Sequence, residues 1–155
     1  MITMSETLFH FAPTKLGPGS IIEPGNWGRI LKRYNTVNNN GWIIARELLF
    51  EGVRTHMFPD KPSRLSSSFA FRTKVEADRY QQANDGNLLN VLHEVEIADR
   101  ALPQHEGRLR HLDWPEQGVP FLDPTRLKAM QYWQGIGNGD AEIVTASPLR
   151  ILRAL

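Results

Sequence analysis

The chain is expected to fold as α+β, with short antiparallel strands forming small sheets and single helices packed outside them. Three observations predict this. Apolar or alternating runs of strand length recur along the whole sequence. Helical patterns fall singly between them. No regular strand–helix–strand alternation appears, which argues against a doubly wound parallel sheet.

Taken in order, residues 7–12 form a short apolar strand that stops at Pro13. Gly17-Pro18-Gly19, Ile21-Ile22 and Pro24-Gly25 read as turn, short strand, turn. Residues 27–34 suit a short helix. A longer helix starts at Gly41, where Ile44, Leu48 and the Leu49/Val53 pair recur at helical spacing and mark the expected buried side. Pro59 and Pro62 make residues 54–64 a loop. Residues 67–72 alternate polar and aromatic, with Phe69 and Phe71 on one side of a strand. Thr73 and Glu76 then form a capping box that opens a helix over 74–83, stopped around Asn84-Asp85-Gly86. Leu89, Val91, His93, Val95 and Ile97 alternate through 88–98, a longer strand with one hydrophobic side. Residues 102–119 read as irregular. Asp123 fits an N-cap with Pro124 at the first helical position, and that helix runs to about Gln134 before the glycine-rich segment 135–139. Strands at 142–145 and 149–152, separated by Ser147-Pro148, close the chain.

The length of 155 residues suits one domain over 1–155, because domains most often run ~100–150 residues. A hydrophobic content of 41% is enough for one core, and a formal charge of +1 advertises neither a nucleic-acid field nor an acidic tail. There is no cysteine, which excludes disulfide frameworks, iron–sulfur clusters and thiol catalysis. No apolar run approaches the ~20 residues of a transmembrane helix, and the N-terminus has no signal-peptide pattern, so a cytoplasmic protein without membrane attachment is expected. Repeats are absent, and the only biased tracts are Asn38-Asn39-Asn40 and Ser66-Ser67-Ser68.

Several familiar sites fail on spacing. His105 and His111 are six apart, whereas a helical zinc site needs its histidines four apart, so no metal is expected. The segment 135–139 has three glycines but no following Lys-Ser/Thr, which makes it a turn rather than a phosphate loop. The serine tract lacks the flanking glycines of a nucleophile elbow.

Three other segments do form a pattern. The first is Leu8-Phe9-His10-Phe11-Ala12, followed by a glycine-punctuated turn. The second runs from Ser68-Phe69 through Phe71 to Tyr80, an aromatic strand leading into a helix with a further aromatic. The third is Asp140-Ala141-Glu142-Ile143-Val144, a carboxylate opening an apolar strand near the C-terminus. In this order they resemble the NAD-binding core of the ADP-ribosyltransferase superfamily, closest to its His–Tyr–Glu branch, which includes diphtheria toxin, the poly-ADP-ribose polymerases and the rifampin-modifying transferases.

The resemblance implies a split pair of antiparallel β-sheets with flanking helices and an NAD cleft between the sheets. It implies that His10 and Glu142 are catalytic and that NAD is a co-substrate. His10 would hydrogen-bond the adenosine ribose, and the Phe11 backbone would hold the nicotinamide amide. Phe69 stands where the family has its triad Tyr, and Tyr80 stands where the second stacking Tyr lies. Two π-faces suit a planar pyridinium. Ser68 is the alternative source of a hydroxyl, and Arg64, with Arg46, suits the diphosphate through its guanidinium fork. Glu142 would stabilise the oxocarbenium-like transition state and grip the ribose 2′-hydroxyl. The implied activity is mono-ADP-ribosylation of a macromolecular acceptor, protein or nucleic acid, as suits an intracellular toxin with an antitoxin partner or a phage-defence protein. The rival readings are an NAD- or ADP-ribose-binding module without turnover and an RNA 2′-phosphotransferase of the same fold. Trp114 and the Tyr132-Trp133 pair are candidate linings of an acceptor site.

Overall fold

The computed structural model describes residues 5–37, 40–84 and 88–155. Asn38 and Asn39 of the asparagine tract, and Asp85 and Gly86 of the helix stop, lie outside the described residues. The class is α+β, built on two antiparallel sheets.

One sheet holds β1 (Leu8–Ala12), β4 (Val91–Ile97), β7 (Leu149–Ala154) and β2 (Ile21–Ile22), in that order. The other holds β3 (Ser68–Ala70), β6 (Ala141–Thr145) and β5 (Gln104–Arg108). The consecutive strands β6 and β7 therefore belong to different sheets. The two sheets are stitched at one corner, where Phe9 and Phe71 exchange both backbone hydrogen bonds, at 2.8 and 2.7 Å. A shared core lies between them, with Leu8, Val95, Leu149 and Ile151 from the first sheet and Ala70 and Ile143 from the second.

Helices α2 (Asn40–Met57) and α4 (Leu122–Gln134) cover the outer side of the three-stranded sheet, where Phe50 and Val53 meet Tyr132, Trp133 and Val144. Helix α1 (Asn26–Leu31) packs on a 3-10 turn, Arg64–Ser66. Helix α3 (Lys74–Ala83) packs on β1, burying Ala77 with Phe71 and Leu92. Strand β6 is buried at all five positions because it is central, with the first sheet on one side and the helices on the other. Successive side chains alternate between those sides. Ile143 joins the inter-sheet core, while Glu142 and Val144 turn toward the helices.

Several sequence expectations need correction. The expected irregular stretch contains strand β5 and a 3-10 turn, Leu109–Leu112. Its buried positions are His105 and Gly107, so it alternates without the apolar residues that signal a strand. Helix α2 continues to Met57, through residues expected to be loop; the Phe58 N–H still bonds the Arg54 carbonyl, and the chain leaves the helix just before Pro59. Val53 is buried as expected, but Leu48, expected on the same side, is exposed, and Glu47 and Phe50 are buried. The reason is that Glu47 finds a buried cationic partner, which draws the inner stripe of the helix toward it. Leu89, expected within the β4 strand, is exposed in the preceding turn. Helix α4 begins at Leu122 without a side-chain cap, whereas its end is as expected, with Gly135 at φ 73. The Thr73 cap forms as expected, with its Oγ1 accepting the Glu76 N–H at 3.2 Å.

Candidate functional site

A cavity of about 1130 Å³ is lined by residues of both sheets and of the helices, among them His10, Phe11, Arg64, Phe69, Tyr80 and Glu142. These residues come from β1, the 3-10 turn, β3, α3 and β6, so the topology gathers in one place what the sequence holds far apart. Ser68 does not line the cavity; strand alternation turns it away from Phe69, and its buried hydroxyl has no partner among the described residues. Neither Tyr132 nor Trp133 is available to an acceptor, because both are fully buried. Trp114 is exposed and stacks on Trp42 at 4.3 Å.

His10 Nδ1 lies 2.6 Å from the Phe69 carbonyl. A carbonyl can only accept, so Nδ1 carries the proton and Nε2 remains an acceptor. Burial lowers the His10 pKa, against the Phe69 bond and with help from His93. The ring is therefore a neutral imidazole near pH 7. Across the cavity Tyr80 packs on Phe71 with ring centres 5.0 Å apart, and Phe71 meets Phe11 edge-on at 6.2 Å.

Glu142 sits in a chain of buried charges. Its Oε1 accepts from the Tyr132 hydroxyl at 2.6 Å and from Arg64 Nη1. Arg64 Nη1 also donates to the Tyr132 oxygen at 2.8 Å. The rest of the Arg64 fork grips Glu47, with Nε at 3.1 Å from Oε2 and Nη2 at 3.0 Å from Oε1. Arg46 joins at the far end, donating to Glu47 Oε1 at 3.0 Å and to the Leu112 carbonyl at 2.8 Å. Two cations and two carboxylates balance, which is what a dry interior requires.

The titration shifts follow from this packing. Burial works against the charge of Arg64, but Glu47 and Tyr132 together outweigh it and raise the pKa above the ordinary value. Burial also works to raise Glu47, but Arg64 and then Arg46 hold it below the usual carboxylate range. The Tyr132 phenol is pushed up to about 12, chiefly by burial, so it is a neutral donor.

Arg46 also lines the cavity, although its Nε is buried and has no hydrogen-bond partner among the described residues. Arg79 and Asp140, also lining residues, pair with each other in a bidentate contact of 2.8 and 2.7 Å. Among the described residues no group of three or more His, Asp or Glu is arranged to hold a metal ion. No helix among them is long and apolar enough to cross a membrane.

Sequence reasoning missed the part of the site behind Glu142. It assigns Glu47 no role and suggests Tyr132 only as a lining of an acceptor site. The available signal was the position of Glu47 three residues from both Ile44 and Phe50, a charge on an otherwise apolar side of the helix.

No curated protein matches the chain. One family profile matches residues 26–153, a span from α1 through all but the last residue of β7, which includes every cavity-lining residue except His10, Phe11 and Pro13. The chain belongs to that family, which is described as "Protein of unknown function (DUF2441)".

Proposed function

We propose that the chain is a mono-ADP-ribosyltransferase that takes NAD as substrate and transfers ADP-ribose to a macromolecular acceptor. The observation that carries this reading is the meeting of His10, Phe11, Phe69, Tyr80 and Glu142, from four separate segments, around one cavity. Its volume of about 1130 Å³ suits a dinucleotide, since pockets for smaller ligands run ~300–1,000 Å³.

NAD brings a sugar carbon already bonded to a cationic leaving group, nicotinamide, which departs with the electron pair of the bond. The residues then have separate tasks. His10 Nε2, an acceptor on a neutral ring, takes a hydrogen bond from a ribose hydroxyl. Phe69 and Tyr80 offer aromatic surface to the pyridinium. Arg46, a cation in the cavity wall, serves the diphosphate. Glu142 supplies negative charge beside the developing oxocarbenium ion and accepts from the ribose 2′-hydroxyl. The acceptor nucleophile forms the new bond to the sugar carbon and loses its proton to solvent or to a nearby base. A toxin-like role inside the cell, with an antitoxin as partner, belongs to the same reading.

The test is release of nicotinamide from NAD, followed chromatographically with and without cell extract. Wild type is expected to release it, and Glu142→Gln to do so about 10²–10³-fold more slowly. Absence of NAD binding in calorimetry at millimolar concentration would overturn the proposal. NAD binding without release, in either condition, would favour the binding module, a reading that the missing hydroxyl at Phe69 makes specific. Labelled NAD in extract treated with protease or nuclease separates protein from nucleic-acid acceptors.

A further inference from the structure

Both hydrogen bonds that Glu142 accepts fall on one oxygen, Oε1. Its Oε2 has no hydrogen-bond partner among the described residues, although the residue lines the cavity. The terminal torsion of a glutamate is broad, so a carboxylate at a cavity wall ordinarily turns freely. Two donors from different elements remove that freedom.

We propose that Tyr132 and Arg64 are positioning residues, clamping the Oε1 edge of Glu142 so that Oε2 is presented to the donor ribose. The inference rests on the transferase reading above. It gives Arg64 a different task from the diphosphate contact that the sequence suggests. All three guanidinium nitrogens are engaged, with Nε and Nη2 on Glu47 and Nη1 shared by Tyr132 and Glu142. The plane is also covered, by the Phe69 ring at 5.0 Å and the Tyr132 ring at 5.3 Å. Four of the five N–H donors are thus committed within the protein, which leaves one on Nη2 and no bidentate fork for a phosphate.

Glu47 completes the device. By occupying the Nε–Nη2 edge of the Arg64 fork it turns the cation so that only Nη1 reaches Glu142. Without it the full fork would turn to Glu142 and could engage both oxygens, removing the free one. Tyr132 is set in turn by Gly107, the cross-strand neighbour of Glu142. A Cβ at Gly107 would lie 2.2 Å from Tyr132 Cε2, so the bare backbone of β5 is what lets the ring lie against this strand. Tyr132, neutral at any ordinary pH, donates to Glu142 whatever the pH of the reaction.

The substitution Tyr132→Phe removes one clamp and keeps the ring. It is expected to lower kcat for nicotinamide release about 10–100-fold and to leave KM for NAD within about twofold, because orientation is used in the transition state. Arg64→Lys keeps the charge and loses the fork, and is expected to show the same split. High-resolution crystal structures of wild type and Tyr132→Phe provide a readout independent of turnover: the Glu142 carboxylate should rotate or split into two orientations in the variant. Wild-type kcat in Tyr132→Phe, or a loss falling on KM alone, would overturn the proposal. So would an unmoved carboxylate. If wild type releases no nicotinamide, the transferase reading falls; the carboxylate then decides the clamp alone, with rotation supporting it and an unchanged orientation refuting it. Should Tyr132→Phe not fold, Arg64→Lys is judged by the same two readouts.

Discussion

Replacing Glu47 by alanine tests whether the buried charges behave as a coupled unit. Glu47 is 1% exposed, and the substitution strips Arg64 of its acceptors at 3.1 and 3.0 Å and Arg46 of one at 3.0 Å. Two cations then share the single carboxylate of Glu142. Breaking a buried pair from one side typically costs about 3–5 kcal/mol. Each kcal/mol lowers the Tm of a chain of this size by roughly 2–4 °C, so a fall of roughly 6–20 °C is expected. The loss is a large part of the ~5–15 kcal/mol that holds a domain together. Thermal unfolding followed by far-UV circular dichroism measures it, with Glu47→Gln as a companion that keeps shape and loses charge. The pH dependence is a second arm. Although burial opposes it, Arg64 and Arg46 hold the Glu47 pKa below its ordinary 4.5. A carboxylate with a depressed folded pKa stabilises above its unfolded pKa, and that stability is lost as pH falls through the folded value. The gap between wild type and Glu47→Gln should therefore narrow below pH 4.5. A Glu47→Ala protein melting within about 2 °C of wild type at neutral pH would refute the reasoning, as would a gap that stays constant into acid.

Two further outcomes follow from neighbouring contacts. Gly107→Ala puts a methyl group where the Tyr132 ring lies, and should cost about 1–3 kcal/mol in urea unfolding; an unchanged midpoint would mean that the ring yields without loss. His105 is pushed down from 6.5 to about 4, chiefly by burial, against its 2.7 Å bond to the Tyr132 carbonyl. The unfolded chain takes up this proton near 6.5 and the folded protein does not until about 4, so stability should fall as pH drops across that window and be unaffected above it. Urea midpoints at pH 7.5, 5.5 and 4.5 check this, and His105→Asn should flatten the slope.

How far the sequence could be read depended on whether hydrophobicity carried the local signal. The capped helix α3, the strands β1 and β6 and the Gly135 stop were legible because caps, apolar runs and a left-handed glycine each have a direct local cause. Strand β5 was not, since its inward positions are a histidine and a glycine, chosen for the Tyr132 and Trp133 rings above them rather than for apolar burial. The same holds for helix α2. Its inner stripe runs through Glu47, and no periodicity rule credits a carboxylate with burial until its partner, 17 residues away, is known. His10, Phe69, Tyr80 and Glu142 were legible as a set through their order along the chain. Their support was invisible, because Tyr132 and Glu47 reach Glu142 and Arg64 only through tertiary packing.

The position of that support bears on why a carboxylate occupies the centre of a fully buried strand. An apolar side chain at Glu142 would pack between α4 and the sheet without any counter-charge. Replacing buried ion pairs by well-packed apolar residues is often neutral or stabilising, so the fold alone gives little reason for three buried charges, a half-buried Arg46 and a buried phenol. Their arrangement is also uneven: every donor converges on one oxygen of Glu142, and the other oxygen is left on a residue that walls a large cavity. A network serving only cohesion would be expected to satisfy both. Spending burial on one half of a carboxylate makes physical sense where the second half meets a ligand hydroxyl, and this is the requirement that the donor ribose imposes in the proposed reaction.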